Sequence, residues 1–124
     1  VGKPFRQRGR GPDGFDCWGL VIWVRRFGCL TTPDYDIHHA DFPGVTWAVG
    51  TVKAEAWFKP VQGPPACFDV VEFKPGEGGE LHFGVMIDRV TFLDVTDDGA
   101  GVKPNRIDNP WNSTRIAGYW RRDQ

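Results

Sequence analysis

The chain has 124 residues, and 15 Lys and Arg stand against 16 Asp and Glu. That balance argues against a general nucleic-acid binder, and a charged fraction of 25% beside a hydrophobic fraction of 40% excludes wholesale disorder. The 9 Phe, 6 Trp, 16 Gly and 10 Pro favour strands and turns over long helices, in a single domain spanning 1–124.

Residues 2–16 are rich in Gly, Pro and Arg and read as a loop. Cys17, Leu20, Val21, Val24 and Phe27 then recur at helical spacing, which predicts a helix with one apolar face. Asp13 and Asp16 are its N-cap candidates, Arg25 and Arg26 suit its last turn, and Gly28 suits the C′ position. Residues 31–44 read as a loop. Val45, Ala48, Val49, Val52 and Ala56 predict a second helix over 45–58, interrupted by Gly50. Strands follow at 68–73, 81–87 and 91–95, the last two joined by the three-residue loop Asp88-Arg89-Val90. A short strand is expected at 101–103, and another at 115–121. Helices first and adjacent strands after predict an α+β domain with an antiparallel sheet packed on the first helix.

No apolar run reaches the roughly 18 residues of a membrane span. The basic N-terminal stretch has no apolar core behind it, so we expect no signal peptide and no membrane partner. Cys17, Cys29 and Cys67 are odd in number and irregularly spaced. They fit neither a metal knuckle nor a disulfide framework, which predicts free thiols, no metal and no cofactor.

A cysteine opening a helix is either a small core residue or a nucleophile. The helix N-terminus favours a thiolate, predicting a depressed thiol pKa, and its free N–H groups suit an oxyanion. A general base must come from elsewhere. His38 and His39 lie in an irregular loop, whereas His82 lies near the start of a strand, a rigid platform. If residues 88–90 form the hairpin loop, Asp94 opposes Gly84 and is a diagonal neighbour of His82 on one face. Asp94 is then either an orienting carboxylate or an edge-strand solubility residue. Asn112-Ser113-Thr114 fits a glycosylation acceptor. Trp47, Trp57 and Trp111 suit either a glycan groove or core packing.

These residues resemble a known family. Gly2-Lys3-Pro4-Phe5, and Gly11-Pro12-Asp13-Gly14-Phe15-Asp16-Cys17-Trp18-Gly19-Leu20-Val21, are similar to the nucleophile motif of the NlpC-type cell-wall cysteine peptidases. His82-Phe83-Gly84-Val85 matches that family's histidine strand, and Phe92-Leu93-Asp94 occupies the place of its third polar residue. Trp18 and the closing Ala117-Gly118-Tyr119-Trp120-Arg121 resemble the bacteriophage tail assembly branch. Three places depart from the pattern: Phe5 stands where a Tyr is common, Asp94 where a His is usual, and Cys67-Phe68-Asp69 where Pro-Gly-Asp precedes the middle strand.

The resemblance implies a papain-like fold with an N-terminal catalytic helix on a central antiparallel sheet. It implies a peptidoglycan endopeptidase with Cys17 as nucleophile, His82 as base and Asp94 as orienting group. Asp16 and Phe5 would support the oxyanion site. The implied substrate is a peptidoglycan stem peptide, cut between an acidic D-residue and a diamino acid. The implied setting is a phage tail or the cell envelope, with other tail proteins as partners. A non-catalytic tail-tip or wall-binding module shares the fold, and thiol-dependent acyl transfer shares the residues.

Overall fold

A computed structural model describes residues 2–6, 9–32, 58–74, 82–96, 99 and 101–122. The elements are α1 (Cys17–Phe27), β1 (Lys59–Pro60), β2 (Val70–Phe73), β3 (Phe83–Met86), β4 (Thr91–Asp94), β5 (Lys103–Arg106), α2 (Pro110–Ser113) and β6 (Ile116–Arg121). The strands form one six-stranded sheet in the order β1-β6-β2-β3-β4-β5, and every pairing is antiparallel. This is the α+β arrangement expected, with the N-terminal helix packed on β3. The expected helix over 45–58 lies almost wholly outside the described residues.

The sheet is buried on both sides at its centre. All four residues of β2 and of β3 are buried. Because strand side chains alternate, Val70, Phe83 and Val85 face α1, where Trp18, Leu20, Val21 and Val24 cover them. Val71, Phe73, Met86 and Phe92 form a second cluster on the opposite face, joined by Ile107, Ile116 and Tyr119. Trp18 is fully buried, edge-on to Phe83 at 5.0 Å and to Phe58 at 6.2 Å. Each buried aromatic or branched side chain contributes about 1.5–3 kcal/mol, so this seam locks the start of α1 onto β3.

Helix α1 starts as the sequence dictates. Asp16 is the N-cap, and its side chain accepts from the Gly19 N–H at 2.8 Å. The far end differs from expectation. Gly28 is the C-cap, and the left-handed C′ residue is Cys29, at φ 58°. Leu30 N–H donates to the Arg25 carbonyl and Cys29 N–H to the Arg26 carbonyl, completing a Schellman motif. A glycine is needed at 28 for a different reason, since a Cβ there would run into the Phe68 ring. Phe27 was expected on the buried face and is 75% exposed. Ten residues of helix turn it about 80° away from Cys17, where it packs edge-on against Trp23.

The β3–β4 register is the one the three-residue loop predicts, with Val85 opposite Leu93 and Met86 opposite Phe92. Asp88 shapes the turn by accepting from the Val90 and Thr91 N–H groups at 2.8 and 2.7 Å. Those two donors hold its carboxyl below the usual range. The strand expected at 101–103 begins later, at Lys103. Val102 lies just before β5 and is buried in the α1-side core.

Two buried charges tie the ends together. Arg25 is 1% exposed, and its guanidinium donates to the Thr32 hydroxyl and to the carbonyls of Thr31, Phe68 and Arg122. Asp69, also 1% exposed, takes a bidentate pair of 2.8 Å bonds from Arg121 on β6.

Candidate active site

The first turn of α1 is built against the Gly-rich loop that precedes it. Phe15 N–H donates to the Pro4 carbonyl, Arg6 N–H to the Phe15 carbonyl and Asp16 N–H to the Gly9 carbonyl. A Cβ on Gly19 would collide with the Gly9 carbonyl oxygen, so glycine lets the loop lie directly on the helix. Arg10 closes this arrangement with a 2.6 Å ion pair to Asp16, whose side chain is fully buried. Asp16 therefore has two jobs at once, capping the helix and anchoring the loop. Phe5 forms an isolated bridge with Phe15 and packs against the core cluster that contains Cys17 and Phe15.

Cys17 has no exposed surface. Burial is the main cause that pushes its thiol up to about 12, and the neighbouring Asp16 charge adds to it. Hydrogen bonds from the Phe83 and Trp18 backbone N–H groups and the Arg10 charge act in the opposite direction without winning. This corrects the expectation of a depressed thiol pKa. The helix terminus is present, but desolvation outweighs it. The Phe83 contact also fixes position: the sulfur lies at the strand residue that follows His82.

His82 immediately precedes β3. Its Nε2 is 3.0 Å from Asp94 Oδ2, and both side chains are 10% exposed. The inferred hairpin register places them on one face, and the structure gives them this direct contact. An ionised carboxylate only accepts, so the imidazole donates through Nε2, which leaves Nδ1 as the ring nitrogen for another partner. The Phe73 ring, 4.7 Å away, holds the imidazole from the side. Gly84 lets β3 lie close to β4, since a Cβ there would press on the Phe92 ring and the Leu93 carbonyl. Sequence reasoning did not single out Asn105, which donates to Asp94 Oδ1 at 2.8 Å.

His38, His39, Trp47 and Trp57 lie outside the described residues. Trp111 is 71% exposed and stacks with Arg115. The Asn112 side chain is buried and donates to the Arg106 carbonyl, which argues against its use as a glycosylation acceptor. Cys29 and Cys67 are free and exposed. An apolar cavity of about 490 Å³ lies between α1 and the β3–β4 turn, lined by Leu20, Trp23, Phe27, Phe68 and Ile87 among others. Cys17, His82 and Asp94 do not line it. Among the described residues, no cluster of three or more His, Cys, Asp or Glu could hold a metal ion.

The site thus joins a cysteine at a helix start to the backbone of the residue that follows His82, and a carboxylate to the His82 imidazole. The pattern of the NlpC/P60 family matches residues 2–121. The chain belongs to the NlpC/P60 family. Members of this family are in general cysteine peptidases or amidases that act on peptidoglycan, outside the cytoplasm. Among solved structures, a protein from Staphylococcus aureus described as similar to a lipoprotein of the NLP/P60 family superposes with a TM-score of 0.56 at 18% identity. The match covers 97% of this chain and 36% of that one. The chain thus spans about a third of that relative's length, and the likeness is one of fold. No curated protein matches the chain. Among the described residues, no helix is long and apolar enough to cross a membrane.

Proposed function

We propose that this NlpC/P60 domain is a cysteine peptidase that hydrolyses a peptide bond in peptidoglycan stem peptides. The observation that carries the reading is the 3.0 Å contact between His82 and Asp94, next to the strand residue that holds the Cys17 sulfur. In this reading His82 Nδ1 takes the Cys17 proton as the sulfur attacks the scissile carbonyl carbon. The imidazolium that forms is stabilised by Asp94. The oxyanion is met by the Cys17 backbone N–H at the helix start, in a loop that Asp16 and Phe5 hold in place. His82 then returns the proton to the leaving amine. Water attacks the thioester, gives its proton to His82, and restores the thiol.

The bond would join an acidic D-residue to a diamino acid. Trp18 and the Ala117–Arg121 segment favour a phage tail setting, in which the enzyme opens the wall locally alongside other tail proteins. A thiol near 12 needs His82 to remove its proton during the attack, so the resting site holds a neutral thiol in place of a preformed thiolate.

The burial of Cys17 favours one rival, a tail-tip or wall-binding module that keeps the fold without turnover. Zymography against purified sacculi, with mass analysis of the released muropeptides, separates the two. Release by the wild type and none by Cys17→Ala is expected. Equal release by both, or none by either, overturns the peptidase reading.

A further inference from the structure

We infer that Asn105 is a positioning residue that orients Asp94 toward His82. The inference rests on the peptidase reading and adds a member to its machinery. The β4–β5 register places Phe92 opposite Asn105 and Asp94 opposite Lys103. Directly opposed residues share a face of the sheet, so Asn105 and Asp94 are diagonal neighbours on the His82 side. Lys103 stands on that face as well. Strand β5 alternates between half-buried Lys103 and Asn105 and exposed Pro104 and Arg106.

The two oxygens of Asp94 are divided between two partners. Oδ1 accepts from Asn105 Nδ2 at 2.8 Å, and Oδ2 faces His82 Nε2 at 3.0 Å. A carboxylate held at one oxygen only can swing about its last torsion. Held at both, it keeps one oxygen aimed at the imidazole. The Asp94 side chain is only 10% exposed, so little water is available to replace a lost donor. Asn105 donates to Asp94 and acts through it.

The full chain tests this with Asn105→Ala, Asn105→Ser and Asp94→Ala, and with Asn105→Ala combined with Asp94→Ala. On one muropeptide, Asn105→Ala and Asn105→Ser should lower kcat about 10–100-fold, with KM little changed. In the Asp94→Ala background the Asn105 change should cost nothing further, because its effect runs through the missing carboxylate. The same loss in both backgrounds, or an unchanged kcat in a folded variant, overturns the inference. A second readout needs no turnover. Imidazole nitrogen NMR should show His82 as the Nε2–H tautomer in the wild type and a mixture of tautomers in both Asn105 variants. If the wild type releases no muropeptide, the peptidase reading falls and the tautomer measurement alone decides. An unchanged tautomer then overturns the role of Asn105.

Discussion

Asp94 Oδ2 and His82 Nε2 lie 3.0 Å apart although twelve positions of chain separate them, because the β3–β4 hairpin folds one back onto the other. The contact is mostly shielded from water, so Asp94→Asn should lower turnover severely, by up to about 10⁴-fold. Substrate affinity should change little. Asp88→Asn is the matched control: its side chain caps the turn of the same hairpin, and an amide oxygen can still accept from Val90 and Thr91. Steady-state kinetics of the two variants checks this. A larger loss in Asp88→Asn would remove Asp94 from the site.

The Cys17 thiol should be a poor nucleophile on its own. With burial holding it near 12, it is almost entirely protonated at neutral pH. Cys29, which is exposed, should therefore alkylate with iodoacetamide ahead of Cys17. Any Cys17 reaction should fall further in His82→Ala, while Cys29 is unaffected. Residue-resolved mass spectrometry reads both rates. A Cys17 rate indifferent to His82 would dissolve the proposed pair.

The same group makes the fold sensitive to alkali. Once unfolded, its thiol ionises near 9, whereas the folded protein keeps it protonated until about 12. Between those values the unfolded chain binds fewer protons, so stability falls as pH rises. Below about 9 the group contributes no slope. Denaturant unfolding from pH 8 to 11 should show a steeper decline for the wild type than for Cys17→Ala. Parallel declines would mean that the thiol is better solvated than its burial indicates.

Gly19→Ala should destabilise the domain by about 1–3 kcal/mol, as overpacking does. The added methyl has nowhere to go except into the Gly9 carbonyl, so the loop must lift from α1. Because Gly9 and Asp16 share that loop, the loss should also appear as reduced turnover. Urea titration measures the first effect and kinetics the second. An unchanged unfolding midpoint would show that the loop gives way without cost.

Phe5→Tyr restores a hydroxyl to a ring that packs against the core cluster around Cys17. A donor that meets the oxyanion only in the transition state raises turnover with little change in KM, by up to about 10²-fold. Turnover and melting temperature of the two proteins should be measured together. An equally stable Tyr variant with no gain would show that the oxyanion site is built from other groups.

Periodicity exposed the parts of the fold that bury an apolar face. Leu20, Val21 and Val24 marked α1, and the Phe83–Met86 and Thr91–Asp94 runs marked the hairpin and its register. Elements without that pattern were misplaced or missed. Strand β5 reads Lys-Pro-Asn-Arg and carries no hydrophobic residue, and β1 is two residues long. Asn105 was hidden for the same reason, since a polar residue on an edge strand has meaning only after its partner strand is known. The Cys17 thiol was misjudged because a sequence reveals the helix terminus but not how completely the sulfur is covered.

Strand β6 completes the middle of the sheet, between β1 and β2. During synthesis β2 therefore emerges well before residues 116–121, the neighbours that will pair with its second edge. Until they arrive, a four-residue strand that ends fully buried presents a bare edge to any passing strand. A chain stopped after β5 would hold β2, β3, β4 and β5 but lack the strand that pairs with the second edge of β2. The Asp69–Arg121 ion pair then acts as a late clasp, forming only when the sixth strand is in place.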